Sequence, residues 1–378
     1  MPTPTFTLEA RRDARLLKTF REAWADAVGT GLVAYDPGGS DVEVIVIPPY
    51  RYHFLPRRAT RPGAQKSPTP PPEGIRWPHS PCPFDGEEFV RVREALRLER
   101  DGRIYHVVCN HYPVTPYHFL PVRSWKEPAA RLPQHLGNAQ EIEDLLLLLV
   151  MSGPPHHVYF NSNRGADNSQ SGSSVNHWHG QLFPLPLAPE DSAWTGAARI
   201  LRSEEGLRVG RMESWPAAHL LVEGLTSETR AISEVIWREA NALNDLNVAY
   251  NLEGVLLGEE GLRVFLFPRH PGPDTEVAGL GSLNPNFGGW ELTGDIVIPT
   301  KEILEWIRRH PADATRLTTK RLRETTREPL TARYCVPPTV SYYLKMQLLG
   351  DTRQGECEGG TVAPLKSTAR LQEISGNY

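Results

Sequence analysis

The stretch SGSSVNHWHGQLF, residues 171–183, carries the strongest pattern in this sequence. In an extended strand, side chains alternate between the two faces, so His177, His179 and Gln181 share one face while Trp178 lies on the other. Two imidazoles and an amide then form a polar ridge with steps of about 7 Å. A solvated strand face would explain a lone histidine, but it does not explain the loop that precedes this ridge.

That loop is composed of hydroxyl, amide and glycine residues, namely Ser171, Gly172, Ser173, Ser174 and Asn176. Its backbone N–H groups and hydroxyls can cradle a phosphate, and the glycine permits a close approach of the ligand. An imidazole can attack phosphorus as a nucleophile. We therefore predict a phosphate-binding loop that leads directly into the histidine ridge.

The rest of the chain alternates between strand-like and helix-like patterns, which predicts an α+β fold with an antiparallel sheet and packed helices. The leucine-rich helix candidate ends at Gly153-Pro154, a helix stop signal. Predicted strands cover 42–47, 104–109, 117–122, 157–161, 176–184, 254–257, 263–268 and 294–299, and predicted helices cover 8–27, 140–152, 227–244 and 300–310.

The composition changes along the chain and predicts three parts. Residues 56–86 are rich in proline and basic side chains, which indicates an irregular segment within the first part. Residues 1–205 form the predicted catalytic half, residues 206–345 form a second half that completes the pocket, and residues 346–378 form a loose C-terminal tail.

Charge and cysteine usage exclude several classes of protein. The formal net charge is −4, so there is no overall field for a nucleic-acid partner. The longest apolar run, Leu145–Met151, has about seven residues, whereas a membrane-spanning helix needs roughly twenty. The N-terminus lacks a secretory signal, and the four cysteines form no CxxC pair. These features predict a cytoplasmic protein with reduced thiols.

The motif HxHxQ at His177, His179 and Gln181 resembles the signature of the transferase branch of the histidine-triad superfamily. That branch includes galactose-1-phosphate uridylyltransferase, diadenosine tetraphosphate phosphorylase (ATP adenylyltransferase) and GDP-hexose phosphorylase. SGSS before the ridge and NHYPVTPYHFLPV at 110–122 are similar to the diadenosine tetraphosphate phosphorylases. Phe160-Asn161-Ser162 and GGWELTGDIVIPTKE at 288–302 are similar to the GDP-hexose phosphorylases. The resemblance covers about residues 40–310 and implies two histidine-triad-like halves.

The resemblance implies a nucleotidyltransferase or phosphorylase in which His179 forms a covalent nucleotidyl intermediate. In the family, a backbone carbonyl holds the other ring nitrogen of this histidine. His177 would orient the site, and Gln181 replaces the third histidine of the related hydrolases. An amide can bind a phosphoryl oxygen but cannot exchange a proton, which favours a phosphate-type acceptor over water. The implied substrate is a nucleoside polyphosphate or nucleotide sugar.

The predicted substrate-binding residues are Lys66, Asn161, Ser162, Ser171, Gly172, Ser173, Ser174 and Asn176. The implied reaction requires no cofactor, although Mg²⁺ or Mn²⁺ can enter with the nucleotide. Uridylyltransferases often carry a structural zinc, but here only Cys82 of the corresponding CxxC is present, so we predict no metal site. Two alternatives remain: a histidine-triad nucleotide hydrolase and a non-catalytic nucleotide-binding protein. The sequence leaves the nucleobase and the oligomeric state open.

Overall fold

The structure of the chain is a computed structural model. The structure describes residues 3–34, 37, 42–55, 94–123, 134–162, 171–173, 177–185, 198–204, 206–213, 215–270, 277, 280–281 and 288–327. Three predicted features lie outside these residues: the proline-rich segment within 56–86, the loose tail from 346, and Lys66 with Cys82.

The described residues form an α+β fold, as predicted. The strands are β1 Thr5–Thr7, β2 Glu43–Ile47, β3 Tyr50–Phe54, β4 Glu94–Arg100, β5 Arg103–Cys109, β6 Phe119–Arg123, β7 His156–Asn161, β8 Gln181–Pro184, β9 Ala198–Glu204, β10 Leu207–Met212, β11 Leu220–Leu225, β12 Tyr250–Leu257, β13 Gly261–Pro268 and β14 Asp295–Ile298. The helices are α1 Ala14–Gly29, α2 Ala139–Ser152, α3 Thr229–Asp245, α4 Gly289–Leu292, α5 Lys301–Arg309 and α6 Pro311–Glu324.

Eleven strands form one large sheet in the order β1-β4-β5-β6-β8-β7-β12-β13-β11-β10-β9, and β14, β3 and β2 form a small one. Neighbouring strands of the large sheet are antiparallel except β1, which pairs with β4 in parallel. In the small sheet, β14 is parallel to β3. The sheets are therefore mixed at these two places, although the main ladder is antiparallel as expected.

The large sheet consists of two halves with the same topology. In each half, three strands are followed by a helix and two more strands, and the last strand inserts between the third and the fourth. β7 and β12 join the halves as an antiparallel pair. The fold therefore has two halves of equivalent topology, as the predicted fold class requires. The two halves differ most in the sequence between their last two strands, because only residues 258–260 separate β12 from β13 whereas residues 162–180 separate β7 from β8.

The large sheet buries both of its faces. Helices α1, α2 and α3 cover one face in a core rich in leucine and valine. The small sheet with α4, α5 and α6 covers the other face, where the core contains many aromatic side chains. Consecutive strand residues therefore point into different cores, which is why Trp178 belongs to the helix-side core.

Helix α2 shows how the sequence sets these boundaries. Asn138 is its N-cap, and the side chain of Asn138 accepts a hydrogen bond from the backbone N–H of Glu141. The helix ends at Gly153, whose φ of 66° is a conformation that favours glycine. Its leucine-rich stretch is buried on all sides, since the helix packs between the sheet, α1 and α3.

In the part of the chain that the structure describes, no helix is long and apolar enough to cross a membrane.

Candidate active site

The histidine ridge lies at the start of β8 but departs from the predicted strand. We predicted a continuous strand over 176–184, whereas regular pairing covers only Gln181–Pro184. Before it, His179 makes an isolated bridge to Val122 of β6. Residues 177–180 are not helical, so the polar ridge is retained.

Trp178 anchors this segment on the helix side of the sheet. Its ring is fully buried, and its Nε1 donates to Glu141 Oε2 of α2 at 3.0 Å. The other carboxylate oxygen of Glu141 accepts from Arg123 Nη1 at 2.7 Å. Because neighbouring residues point to opposite faces, this anchor directs His179 to the other side of the sheet.

The imidazole of His179 is oriented by its own chain. His179 Nδ1 lies 2.8 Å from the backbone carbonyl oxygen of His177. A carbonyl can only accept, so Nδ1 carries the proton and Nε2 presents a lone pair. His177 is itself held, because its Nε2 donates to the carbonyl of Arg123 at 3.2 Å. The arrangement is that of a nucleophilic nitrogen with its tautomer fixed by the backbone.

Burial keeps this imidazole neutral. His179 is 7% exposed, and desolvation lowers its pKa to about 4, with a further lowering from neighbouring His177. The hydrogen bond to the His177 carbonyl raises the pKa but does not offset burial. At neutral pH, the imidazole of His179 is therefore uncharged, and Nε2 is the ring nitrogen that carries no proton.

The lowered pKa predicts a pH-dependent difference in stability between the wild type and His179→Asn. The pKa of a histidine is about 6.5 in an unfolded chain, so the neutral imidazole contributes stability above that pH and loses it as pH falls toward 4. Relative to the wild type, the variant should gain about 2 kcal/mol in free energy of unfolding between pH 7 and pH 5. Urea unfolding of both proteins at both pH values measures this gain. A difference that does not change with pH would contradict a buried, neutral His179.

A glutamine that sequence analysis missed holds the ridge to β7. The side chain of Gln134 is fully buried, and its Oε1 accepts from the backbone N–H of His179 at 2.8 Å. Its Nε2 donates to the carbonyls of His179 and Asn161, each at 2.8 Å. The ladder between β7 and β8 stops at the pair of Tyr159 and Gln181. Gln134 then replaces the missing backbone bonds, which explains why the regular strand begins only at residue 181.

The described part of the predicted phosphate loop is Ser171, Gly172 and Ser173, whereas Ser174 and Asn176 lie outside the described residues. Gly172 is exposed and has a φ of +86°. The hydroxyl of Ser171 donates to the carbonyl of Ser162, and Ser162 Oγ accepts from the backbone N–H of Tyr250 at 2.7 Å. Both hydroxyls therefore make hydrogen bonds that hold Ser171, Ser162 and Tyr250 together, and their predicted role in substrate binding stays a prediction.

Asn161 links the loop to the second half of the chain. Its Oδ1 accepts from Asn251 Nδ2 at 2.7 Å and from the backbone N–H of Gly289 at 3.3 Å. Asn251 Nδ2 also donates to the carbonyl of Ser171 at 2.6 Å. The Gly289 position is tight, because an added Cβ would lie 2.9 Å from Asn161 Oδ1. Helix α4 of the second half thus contacts the same residues that carry the loop.

Gln181 is half-buried and lies opposite Tyr159 in the pairing of β7 with β8. The alternation of side chains places Gln181 on the His179 face. Hydrogen bonds, in part through Gln134 and Asn251, link the predicted site residues His177, His179, Asn161, Ser162 and Ser171. Gly172 and Ser173 follow Ser171 directly, while Lys66, Ser174 and Asn176 stay predictions.

The second half carries no such ridge among its described residues. Leu182 pairs with Phe119 in the first half, and Leu266 pairs with Leu220 in the second. His179 precedes Leu182 by three residues, and Arg263 precedes Leu266 by three residues. Arg263 is therefore the equivalent of His179 in the second half. Arg263 Nε donates to Glu223 of β11 at 2.7 Å in a buried ion pair. The equivalent position in the second half therefore serves stability.

The described residues contain no metal site, and their one described cavity lies away from the ridge. No group of histidine, cysteine, aspartate and glutamate there could hold a metal ion. A cavity of about 440 Å³ lies among β9, β10 and the segment before β11, and Arg199, Arg211 and His219 are among its lining residues. It contains none of the predicted site residues, so the geometry of the ridge, rather than this cavity, defines the candidate site.

Comparison with solved structures agrees with this architecture. Yeast Ap4A phosphorylase Apa2 in complex with Ap4A superposes with a TM-score of 0.57 at 19% sequence identity, covering 83% of this chain and 98% of that one. The chain shares the fold of yeast Ap4A phosphorylase. The complex of the same enzyme with AMP gives a TM-score of 0.56 at 17% identity, covering 83% and 97%.

The second half matches a known family. Residues 192–315 match the family described as GDPGP1-like, C-terminal domain. This range runs from just before β9 into α6 and includes α4, which contacts the candidate site. No curated protein matches the chain. The shared fold and the matched domain agree with the resemblance inferred from the HxHxQ motif.

Proposed function

We propose that the protein is a nucleotidyltransferase, acting as a phosphorylase on a nucleoside polyphosphate or a nucleotide sugar. The observation that carries this proposal is the state of His179, a buried neutral imidazole whose Nδ1–H is bound to the carbonyl of His177, so that Nε2 is its basic ring nitrogen. The yeast structures with the same fold hold AMP and Ap4A, which supports a nucleotide as the substrate.

The reaction follows a double displacement. Nε2 of His179 attacks the α-phosphorus of the donor, a P–N bond forms, and the P–O bond to the leaving group breaks. The imidazole becomes positively charged, and the Nδ1–H bond to the His177 carbonyl stabilises that charge. An oxygen of inorganic phosphate or another phosphorylated acceptor then attacks the same phosphorus. The P–N bond breaks, and neutral His179 is regenerated.

The remaining site residues bind and orient the donor. The backbone N–H groups of the loop at Gly172 and Ser173 suit phosphoryl oxygens, because such nests stabilise anions. Lys66, Ser174 and Asn176 are proposed to add charge and hydrogen bonds there. Phosphoryl transfer depends mainly on positioning and on neutralising charge, and the hydrogen bonds of Asn251 to Ser171 and Asn161 serve the positioning.

A protein that only binds nucleotides would not need a nitrogen lone pair at this position. A buried imidazole with a fixed tautomer costs stability at low pH, and a binding site gains nothing from it over an amide. This observation favours an enzyme over a nucleotide-binding protein without catalysis.

Gln181→His should shift the reaction from phosphorolysis toward hydrolysis. An imidazole at this position can exchange a proton with water, whereas the amide cannot. With Ap4A as the donor and inorganic phosphate as the acceptor, we expect the hydrolytic fraction to rise about tenfold or more. Chromatography of the products in ¹⁸O-water measures it, and Gln181→Ala is the control that removes the amide without adding a base. An unchanged product ratio in Gln181→His would contradict the assigned role of Gln181.

A further inference from the structure

Trp290 has a polar atom that the fold does not use. It belongs to α4 in the second half, and its side chain is 7% exposed. The indole Nε1–H is buried and has no hydrogen-bond partner among the described residues. A buried donor without an acceptor costs about 1–3 kcal/mol, so the retention of this N–H requires an explanation.

Two other tryptophans in the same structure show what a purely structural indole does. Trp178 Nε1 donates to Glu141 Oε2 at 3.0 Å. Trp215 Nε1 donates to the carbonyl of Leu292 at 2.8 Å. Both rings are buried and both N–H groups are satisfied. Trp290 differs from them in this respect, although Leu292, which binds Trp215, is only two residues away.

A second buried polar atom near Trp290 also lacks a hydrogen-bond partner among the described residues. Asn251 is fully buried, and its Oδ1 has no partner among the described residues. Asn251 Nδ2 and the backbone N–H of Gly289, which precedes Trp290, donate to the same Asn161 Oδ1. The indole N–H of Trp290 is thus a donor without an acceptor, and Asn251 Oδ1 is an acceptor without a donor. Both belong to residues that lie close to the loop at Ser171.

The ring of Trp290 belongs to the buried aromatic core between the two sheets, where with Phe183 and Tyr159 it forms an aromatic wall on the sheet face that carries the histidine ridge. Its centroid is 4.9 Å from that of Phe183, and Phe183 stacks on Tyr159 at 4.8 Å. Phe183 follows Gln181 by two residues on the same face of β8. Aromatic walls with a few placed polar groups suit flat ring systems, whereas phosphates are served by the loop.

We propose that Trp290 is a substrate-binding residue supplied by the second half, and that its indole N–H donates to an acceptor atom on the nucleoside part of the nucleotide. The proposal rests on the proposed function, since it assigns the nucleoside to the aromatic wall and the phosphates to the loop. The second half then contributes to substrate recognition although it carries no catalytic imidazole in its described residues.

The test is Trp290→Phe, which keeps an aromatic ring and removes the N–H. The probe is whichever of AMP, GMP, CMP and UMP binds the wild type most tightly by isothermal titration calorimetry, with inorganic pyrophosphate as the second ligand. We expect the affinity for the nucleotide to fall about tenfold or more, as for the loss of one buried hydrogen bond, and the affinity for pyrophosphate to stay within twofold.

Trp215→Phe is the matched control, because it also removes an indole N–H from the same region. It should lower the melting temperature through the lost bond to Leu292 and leave nucleotide affinity within twofold. Equal nucleotide affinity in the wild type and Trp290→Phe, or no binding of any of the four nucleotides by the wild type, would overturn the proposal. An equal loss for pyrophosphate would overturn the assignment to the nucleoside.

The proposed function is tested separately in the same variant. At saturating donor, Trp290→Phe should still take a covalent nucleotidyl label, because His179 is intact. A wild type that binds nucleotide but takes no label would count against the proposed function, while the comparison of affinities would still decide the role of Trp290.

Discussion

His179→Asn should lower turnover by at least about 10⁴-fold while the fold and nucleotide binding are retained, because no neighbouring group can replace the attacking nitrogen. Nε2 of His177 cannot substitute, since it donates its hydrogen to the carbonyl of Arg123. Steady-state kinetics with Ap4A and inorganic phosphate measure turnover, and calorimetry with a mononucleotide measures binding.

His177→Ala is the matched control for this prediction. The His177 carbonyl that holds His179 belongs to the backbone and remains in the variant. The loss should therefore be smaller, about 10- to 100-fold, from weaker orientation of the segment. A larger loss in His177→Ala than in His179→Asn would contradict the assignment of the nucleophile.

Gln134→Ala should give the second large effect, on stability and turnover together. The substitution leaves the N–H and carbonyl of His179 and the carbonyl of Asn161 without their partner in a buried place. At about 1–3 kcal/mol for each such group, with some relief from water, we expect a loss of roughly 3–5 kcal/mol in the free energy of unfolding. Urea unfolding measures this loss.

The isosteric variant Gln134→Glu tests the hydrogen bonds of Gln134 Nε2 without changing the volume of the side chain. A carboxylate at this place cannot donate to the two carbonyls that Nε2 now binds, so turnover should fall although the side-chain volume is unchanged. Gln140→Ala is the control, because Gln140 is exposed on α2 and its loss should change the free energy of unfolding by less than about 0.5 kcal/mol. If Gln134→Ala resembled Gln140→Ala, Gln134 would have no role in holding the ridge.

Much of the sheet could be predicted, because burial on one or both faces leaves a local pattern. The strands at 104–109 and 263–268 and the helices α2 and α3 are found close to their predicted bounds. The strands β1, β3, β4, β9, β10 and β11 were missed. β9 is an edge strand whose residues are partly or fully exposed, so its sequence lacks the apolar alternation that marks a strand.

The ridge itself could be found because its three polar side chains follow the period of a strand. The strand predicted from this period at 176–184 is longer than the observed β8, because the side chain of Gln134 takes the place of the backbone pairing before residue 181. A glutamine about 45 residues away has no local signal, and its role exists only once the chain has folded. Similarly, the use of the Ser171 hydroxyl inside the loop depends on Ser162, which a motif cannot show.

The repeat of the two halves was inferred only through the family resemblance. Where the first half has His179, the second half has Arg263 in an ion pair with Glu223. The two positions share a place in the topology but no chemistry. The two halves therefore share the pairing of their strands, although the second half lacks the side chains by which the first half is recognised in the sequence.

The central claim is that His179 carries the nucleotidyl group, and peptide mass spectrometry tests it most directly. The wild type is incubated with Ap4A, or with a nucleotide-sugar donor, in the absence of an acceptor, then quenched and digested at alkaline pH. We expect one nucleoside monophosphate on His179, stable in alkali and lost in acid as for a P–N bond, and discharged by added phosphate. An adduct on His177, or full turnover with no adduct on any residue, would contradict the account.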